Sequence, residues 1–205
     1  MTKYTFIHPT KCGGTSVEKY FSKHYSDYIS GCGHLNKCKN NNNPIIIVRD
    51  VKSRFLSMFK YWKNGAIDTP YKRTNEFKEK FKSISILDFI YLLKNNKTQL
   101  YDRFIREHHF DNTSAWIGNV NFKNIIIIQY DNDLNDKIQS LINYIGIPNK
   151  NIYLSKNNVS VDISDEDKLL IDNEYVNKFI EEYFKDDIKL LNTIQNNPHE
   201  FKFVI

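Results

Sequence analysis

A chain of 205 residues, 40% hydrophobic and 14% aromatic, can build a substantial core, and we predict one domain over residues 1–205. Its net charge of +5 is modest and dispersed, so it favours a small anionic ligand over nucleic acid, which needs a concentrated basic stripe. No apolar run approaches the roughly 20 residues of a membrane span, and the first strand begins almost at Met1. We therefore expect a soluble intracellular protein without a signal peptide.

The three cysteines are Cys12, Cys32 and Cys38, an odd number that is too small for a secreted disulfide framework. We expect reduced thiols. Cys32, His34 and Cys38 lie close enough to suggest zinc, but no fourth ligand is near and the spacing matches no common zinc module. We therefore predict no metal.

The first predicted elements are a strand, a glycine-rich turn and a helix. Residues 4–8 are rich in aromatic and β-branched side chains, which indicates a strand that Pro9 ends. Gly13 and Gly14 relax the backbone, and Thr15 is the expected cap of a helix that continues through Phe21.

Such a turn can bind an anion. The unpaired amides and the dipole of the helix start favour a phosphate or sulfate, and Lys11 brings a positive charge to the same place. The lysine precedes the glycines, whereas a Walker loop has it after them, so a P-loop NTPase is disfavoured. An ordinary strand-turn-helix corner with a surface lysine is the alternative.

The run from Phe6 to Ser16, Phe-Ile-His-Pro-Thr-Lys-Cys-Gly-Gly-Thr-Ser, resembles the phosphosulfate-binding loop of carbohydrate and heparan sulfate sulfotransferases. Their usual form is Pro-Lys-Thr-Gly-Gly-Thr-Ser after the first strand. Thr10 stands at the family's proline and Cys12 at its threonine. The resemblance implies a P-loop-like fold in which Lys11 steadies charge on the leaving phosphate. The implied donor-binding residues of this loop are Lys11, Cys12, Gly13, Gly14, Thr15 and Ser16.

A short second strand is predicted over residues 28–30 and leads to Gly33-His34. Ligands of open α/β sheets collect outside the carboxyl ends of the strands, so His34 can face the same crevice as Lys11. A solvent-exposed loop histidine is the plain alternative. The Gly-His pair resembles the one that follows the second strand in many sulfotransferases, which implies that His34 is the general base.

Pro44–Val48 is an unbroken apolar run, typical of a central parallel strand buried on both faces. Apolar residues at helical spacing follow over residues 51–62. The stretch from Val48 to Ser57 resembles the family's second signature, Val-Arg-Asp-Pro followed by Arg-Phe-Leu-Ser. The resemblance implies that Arg49 and Ser57 hold the 3′-phosphate of the donor.

Residues 63–81 are polar and are predicted to form an excursion that shapes the acceptor site. Helices are predicted over residues 86–93 and 100–110. The second carries Arg103, Arg106, His108 and His109, which form either a contact surface for an anionic acceptor or a solvated basic face. The roles of the two histidines stay open.

A fourth strand is predicted over residues 125–129 and a helix over residues 134–145. They resemble the late core unit of sulfotransferases, in which Asp131 is architectural. By the same resemblance, Lys156 lies in the last donor-binding loop. A helix start at Ser164, one amphipathic helix over residues 169–194 and an edge strand over residues 201–205 complete the chain.

Strands that alternate with helices predict an α/β, three-layer α/β/α fold with a mainly parallel sheet. The resemblance implies a sulfotransferase that moves a sulfuryl group from 3′-phosphoadenosine 5′-phosphosulfate to an acceptor hydroxyl, with carbohydrate favoured. Two alternatives remain: a kinase-like phosphotransferase that needs magnesium and an acid such as Asp50 or Asp131, and a non-catalytic nucleotide- or glycan-binding module. The sequence predicts neither the acceptor nor the oligomeric state.

Overall fold

The structure is a computed structural model, and it describes residues 3–31, 43–64, 79, 81–95, 110–118, 120–150, 152–154 and 163–205. The strands are β1 (Tyr4–Ile7), β2 (Ile29–Gly31), β3 (Pro44–Val48), β4 (Ile126–Gln129) and β5 (Phe203–Val204). The α-helices are α1 (Gly14–His24), α2 (Val51–Lys63), α3 (Ile86–Asn95), α4 (Thr113–Ile117), α5 (Leu134–Tyr144), α6 (Asp165–Leu170), α7 (Glu174–Tyr183) and α8 (Lys185–Asn196).

The five strands form one sheet in the order β2-β1-β3-β4-β5, and every neighbouring pair is parallel. The chain places β2 on one side of β1 and then crosses to β3 on the other side. The strand order therefore reverses between β1 and β3, which makes that position the topological switch point of the sheet.

Both faces of the sheet are covered by helices. Alternate residues of a strand point to opposite faces, and Ile45 and Ile47 lie in one buried cluster while Ile46 and Val48 lie in another. The first cluster includes apolar residues of α1 and α5, and the second includes residues of α4 and α8. The burial of β3 on both faces confirms the prediction from its uninterrupted apolar run, and the three layers are those predicted from the alternation of strands and helices.

The chain divides into two compact units. The first comprises Met1–Asp50, His108–Asn157 and Asp186–Ile205 and holds the sheet, and the second comprises Val51–Glu107 and Asn158–Lys185. The prediction of a single domain stays a prediction.

The second unit has a core of aromatic rings around α2. The ring of Phe55 lies 6.0 Å from that of Phe89, 5.7 Å from that of Phe179 and 6.4 Å from that of Phe184. The fully buried Arg54 places its guanidinium 5.6 Å from the centre of the Phe184 ring. Arg54 is therefore a packed structural side chain.

A buried carboxylate joins three helices of the second unit. Asp167 of α6 accepts hydrogen bonds from the Ser164 hydroxyl at 2.7 Å and from the Ile86 amide at the start of α3 at 3.0 Å, and it pairs with Lys63 of α2 at 2.5 Å. Burial alone raises the pKa of Asp167, but these hydrogen bonds outweigh it and hold the pKa below its ordinary value. The cluster of Asp167, Lys63, Ser164 and the Ile86 amide is called the Asp167 cluster below.

Two predictions about helices are wrong. The single helix over residues 169–194 is interrupted, because the Asn173 side chain accepts the Tyr175 amide at 2.8 Å and starts α7, and α8 begins at Lys185. Thr15 does not cap α1. Gly13 is the cap, in a left-handed conformation, and Thr15 lies inside the first turn.

Candidate anion-binding site

The turn between β1 and α1 has an unusual backbone. Lys11 has a φ of 62° and Gly13 a φ of 76°, so left-handed residues stand on either side of Cys12. This conformation suits glycine but costs a residue with a side chain about 1–2 kcal/mol. A lysine held in a strained turn just before a helix start is typical of a functional site.

The two glycines are required by close approach. A Cβ on Gly13 would overlap the ring of Tyr130, and a Cβ on Gly14 would overlap the side chain of His8. Because α1 begins at Gly14, its first amides have no acceptor within the helix. The Tyr130 ring and the His8 side chain thus pack directly on the backbone of the turn at these two positions.

Three other predicted members of this turn occupy different environments. Thr15 and Ser16 are half-buried in the first turn of α1. Cys12 is fully buried in the core cluster that includes α1 and α5, and its amide donates to the Pro9 carbonyl at 3.4 Å. The Cys12 thiol thus belongs to the core. Its predicted part in donor binding stays a prediction.

Arg49 lies beside the same turn. Its Nη1 donates to the Lys11 carbonyl at 3.1 Å, and its guanidinium lies 4.7 Å from the centre of the Tyr130 ring. Tyr130 in turn donates its amide to the Val48 carbonyl at 2.7 Å. The residues that follow β1, β3 and β4 therefore meet at one edge of the sheet, and two positive side chains, Lys11 and Arg49, belong to that edge.

This edge is the one at which ligands of open α/β sheets bind. The strands are parallel, so their carboxyl ends share it, and the Lys11 turn and Arg49 follow the two strands that flank the switch point. With helix amides, a strained lysine and a fixed arginine, the arrangement can neutralise a tetrahedral anion such as sulfate or phosphate.

Asp131, next to Tyr130, is occupied by local contacts. It accepts the Asp133 amide at 3.0 Å and forms an ion pair with Lys137, whose ammonium also donates to the Gln129 carbonyl at 3.1 Å. The hydrogen bond from Lys137 is the main reason why the pKa of Asp131 lies below its ordinary value. These contacts join the end of β4 to α5, in agreement with an architectural role.

The segment 152–154 is held by hydrogen bonds to α1 and α5. The Ile152 carbonyl accepts the Tyr20 hydroxyl at 2.8 Å and the Gln139 amide at 3.0 Å, and the Leu154 amide donates to Asn135 at 2.7 Å. Burial raises the pKa of Tyr20 to about 12, so its hydroxyl stays protonated and remains a donor at physiological pH. The chain is thus anchored immediately before the predicted donor-binding loop.

Several predicted site residues lie outside the described residues, namely His34, Lys156, His108 and His109. The carboxyl end of β2, from which the chain continues towards His34, lies at the same edge as that of β1, because Gly31 pairs with Phe6 in a parallel ladder. Ser57 is half-buried on α2 in the second unit. The roles predicted for all five residues stay predictions.

Two contacts of the turn were missed by sequence reasoning. Tyr130 could have been found, because it directly follows a predicted buried strand and so falls at the carboxyl edge. Glu18, which contacts His8, is harder to find. Its only signal is its position one helical turn after Gly14 on the face of α1 that meets the sheet.

The described residues contain no group of three or more histidine, cysteine, aspartate or glutamate side chains that could hold a metal ion. Cys32, His34 and Cys38 lie outside them. Within the same described part of the chain, no helix combines the length and the apolar character needed to cross a bilayer.

Searches of known protein families, of curated proteins and of solved structures give no match to this chain.

Proposed function

We propose that this chain is a sulfotransferase that uses 3′-phosphoadenosine 5′-phosphosulfate and transfers its sulfuryl group to an acceptor hydroxyl. The observation that supports the proposal most is the contact of Arg49 with the Lys11 carbonyl. The two segments that resemble donor-binding signatures of sulfotransferases are separated along the chain, yet this contact joins residues 38 positions apart at the switch point of the sheet.

The geometry of the turn fits the 5′ end of such a donor. The group that must be held is a phosphate bonded to a sulfate, and it needs backbone amides and cations in a space free of side chains. The start of α1 supplies the amides, Lys11 supplies an ammonium, and Gly13 and Gly14 add no side chain of their own to the turn. No carboxylate is required at this position.

The donor supplies an activated sulfuryl group bonded to a phosphate leaving group. In the reaction, the acceptor oxygen forms a bond to sulfur while the bond between sulfur and the bridging phosphate oxygen breaks. Lys11 stabilises the negative charge that develops on that bridging oxygen, and the α1 amides hold the non-bridging oxygens. These residues act by position and charge, and they need form no covalent intermediate.

The acceptor must lose its proton during the transfer. We assign this proton to His34, whose imidazole has an ordinary pKa of about 6.5 and is largely unprotonated near neutral pH. Arg49 serves the donor's phosphates, and its fixed guanidinium is suited to a fork of two hydrogen bonds. A carbohydrate hydroxyl is the acceptor that the sequence resemblance favours.

The test is transfer of label from ³⁵S-labelled donor to a panel of glycans, small alcohols and tyrosine peptides, with EDTA present. The proposal predicts a labelled product that disappears in the Lys11→Ala variant. Transfer of phosphate from ATP that requires magnesium would instead identify a phosphotransferase. Tight donor binding without transfer to any acceptor would identify a binding module.

A further inference from the structure

A buried imidazole and a carboxylate connect β1 to α1 behind the turn that joins them, residues 8–13, which is called the anion turn below. His8, which directly follows β1, is 1% exposed, and its Nε2 lies 3.1 Å from Oε2 of Glu18 in the second turn of α1. Because a carboxylate only accepts, the imidazole is the donor in this hydrogen bond. The contact spans the whole turn, since the two residues are 10 positions apart.

The imidazole is held on its other sides by packing. Its ring stacks on Phe6 with the centroids 5.5 Å apart, and Gly14, the first residue of α1, lies so close that a Cβ there would overlap His8. His8 is therefore the spacer between the end of β1 and the start of α1. The imidazole thus packs against the backbone that carries the first helical amides.

Glu18 is itself held against the sheet. Its carboxylate lies over Gly31 at the end of β2, so close that a Cβ on Gly31 would overlap it, and the Glu18 side chain keeps 27% of its exposure. The carboxylate thus connects the second turn of α1 with the ends of β1 and β2. Two of these elements, β1 and α1, flank the anion turn.

We propose that Glu18 is a positioning residue for anion binding. Through its hydrogen bond it holds the His8 imidazole against Gly14, and this fixes the direction of the α1 amides that bind the donor's phosphosulfate. The inference rests on the proposed function for the identity of the anion. The hydrogen bond between His8 and Glu18 is seen in the structure and does not depend on the proposed function.

The direction in which anion affinity changes when Glu18 is replaced distinguishes a positioning role from simple charge repulsion. A carboxylate near an anion site repels the anion, so removal of the Glu18 charge alone would strengthen binding. The positioning role predicts the opposite when the hydrogen-bond acceptor is lost. Two neutral variants of the same length separate the two effects: Glu18→Gln keeps an acceptor oxygen for His8, and Glu18→Met does not.

The experiment measures the affinity of the full chain for adenosine 3′,5′-bisphosphate by calorimetry. We expect Glu18→Gln to bind as tightly as the parent or more tightly, and Glu18→Met to bind at least tenfold more weakly than Glu18→Gln. Lys19→Ala, an exposed neighbour on α1, is the control for a general effect on the helix. Equal affinities for the Gln and Met variants would overturn the proposal.

A second variant tests whether Glu18 acts through His8. In a His8→Phe background an aromatic ring remains at this position, but it cannot donate a hydrogen bond to residue 18. We therefore expect Glu18→Met to cause no further loss of affinity in that background. If Glu18→Met does not fold, Glu18→Ala takes its place in both comparisons. A tenfold loss that persists in the His8→Phe background would show that Glu18 acts by another route.

Amide hydrogen exchange distinguishes failure of this inference from failure of the proposed function. Without ligand, the amides of Gly14 and Thr15 should exchange several-fold faster in Glu18→Met than in Glu18→Gln. If the parent protein does not bind the bisphosphate, the proposed function is contradicted. The exchange rates of the Met and Gln variants then still decide whether Glu18 positions the α1 amides. Identical exchange in the two variants would overturn the role.

Discussion

The anion turn and the Asp167 cluster each contain a lysine, but they use its charge in different ways. Lys63 is paired with a carboxylate that is only 3% exposed and accepts two further hydrogen bonds. Lys11 sits in a strained left-handed conformation, half-buried, in the turn that leads into the first amides of α1. The first arrangement stabilises the fold, whereas the second carries a conformational cost of the kind that is typical of functional sites.

Two arginines show the same contrast. Arg54 is fully buried against Phe184, whereas Arg49 is half-buried at the carboxyl edge of the sheet with its guanidinium on Tyr130. Both follow β3 within a few residues, and only Arg49 stands at a position that the sequence resemblance assigns to the donor. Substitutions in the two regions should therefore affect different quantities, stability in one and ligand affinity or turnover in the other.

The largest effect is expected for His34→Ala. Loss of a general base lowers the rate by about 10² to 10⁴, so sulfuryl transfer should fall at least a hundredfold. The affinity for adenosine 3′,5′-bisphosphate should stay within about a factor of three, less than 1 kcal/mol. Turnover with labelled donor and calorimetry measure the two quantities, with the exposed His199→Ala as control.

Full activity of the His34→Ala variant would exclude His34 as the general base, and His109 and His108 would then be the next candidates. Loss of bisphosphate binding would instead make His34 a structural or donor-binding residue.

Asp167→Ala should reduce the free energy of unfolding by about 3 kcal/mol. This is the lower end of the range for breaking a buried ion pair, because Lys63 keeps 21% of its exposure and can regain water. Bisphosphate affinity should not change at temperatures where the variant is folded. Urea unfolding is the measurement, and Asp165→Asn, which removes an exposed pair with Lys168, should cost less than about 1 kcal/mol.

The same carboxylate makes stability depend on pH. The pKa of Asp167 is lowered in the folded state, so its contribution is fully present above the ordinary carboxyl pKa of about 3.9. It is lost as pH falls through the lowered folded pKa. Urea unfolding from pH 6 to pH 2 should show a smaller loss of stability in Asp167→Asn than in the parent. Parallel curves would contradict the assignment.

A smaller effect, on affinity, is expected for Arg49→Ala. Removal of a charged hydrogen bond should weaken bisphosphate binding by about 1.5–3 kcal/mol, with little change in the free energy of unfolding. Arg54→Ala is the matched comparison and should show the reverse pattern. If Arg49→Ala destabilises the fold and spares affinity, the contrast between the two arginines is wrong.

The sequence predicted the sheet well because its strands carry a strong local signal. Pro44–Val48 is apolar at every position, and the structure has β3 at those bounds with all five residues buried. The predicted edge strand at the end of the chain is confirmed as β5, which pairs with β4. Alternation of strands and helices was sufficient to predict the parallel three-layer fold.

The site was only partly predictable, because its contacts are made between residues far apart in sequence. The position of Lys11 and the glycines follows from one local motif. The contact of Tyr130 with Gly13 depends on the pairing of β4 beside β3, and the bond between His8 and Glu18 depends on how α1 packs. The break at Asn173 was missed for a local reason, since a side-chain cap competed with a continuous amphipathic pattern.

The central claim is that the Lys11 turn and Arg49 together bind a nucleotide with phosphates at both the 5′ and 3′ positions. Calorimetry of the parent with adenosine 3′,5′-bisphosphate and with adenosine 5′-monophosphate tests it most directly. We predict that the bisphosphate binds at least tenfold more tightly, a difference of about 1.4 kcal/mol, and that Arg49→Ala removes most of that difference. Equal affinities for the two nucleotides would contradict the claim.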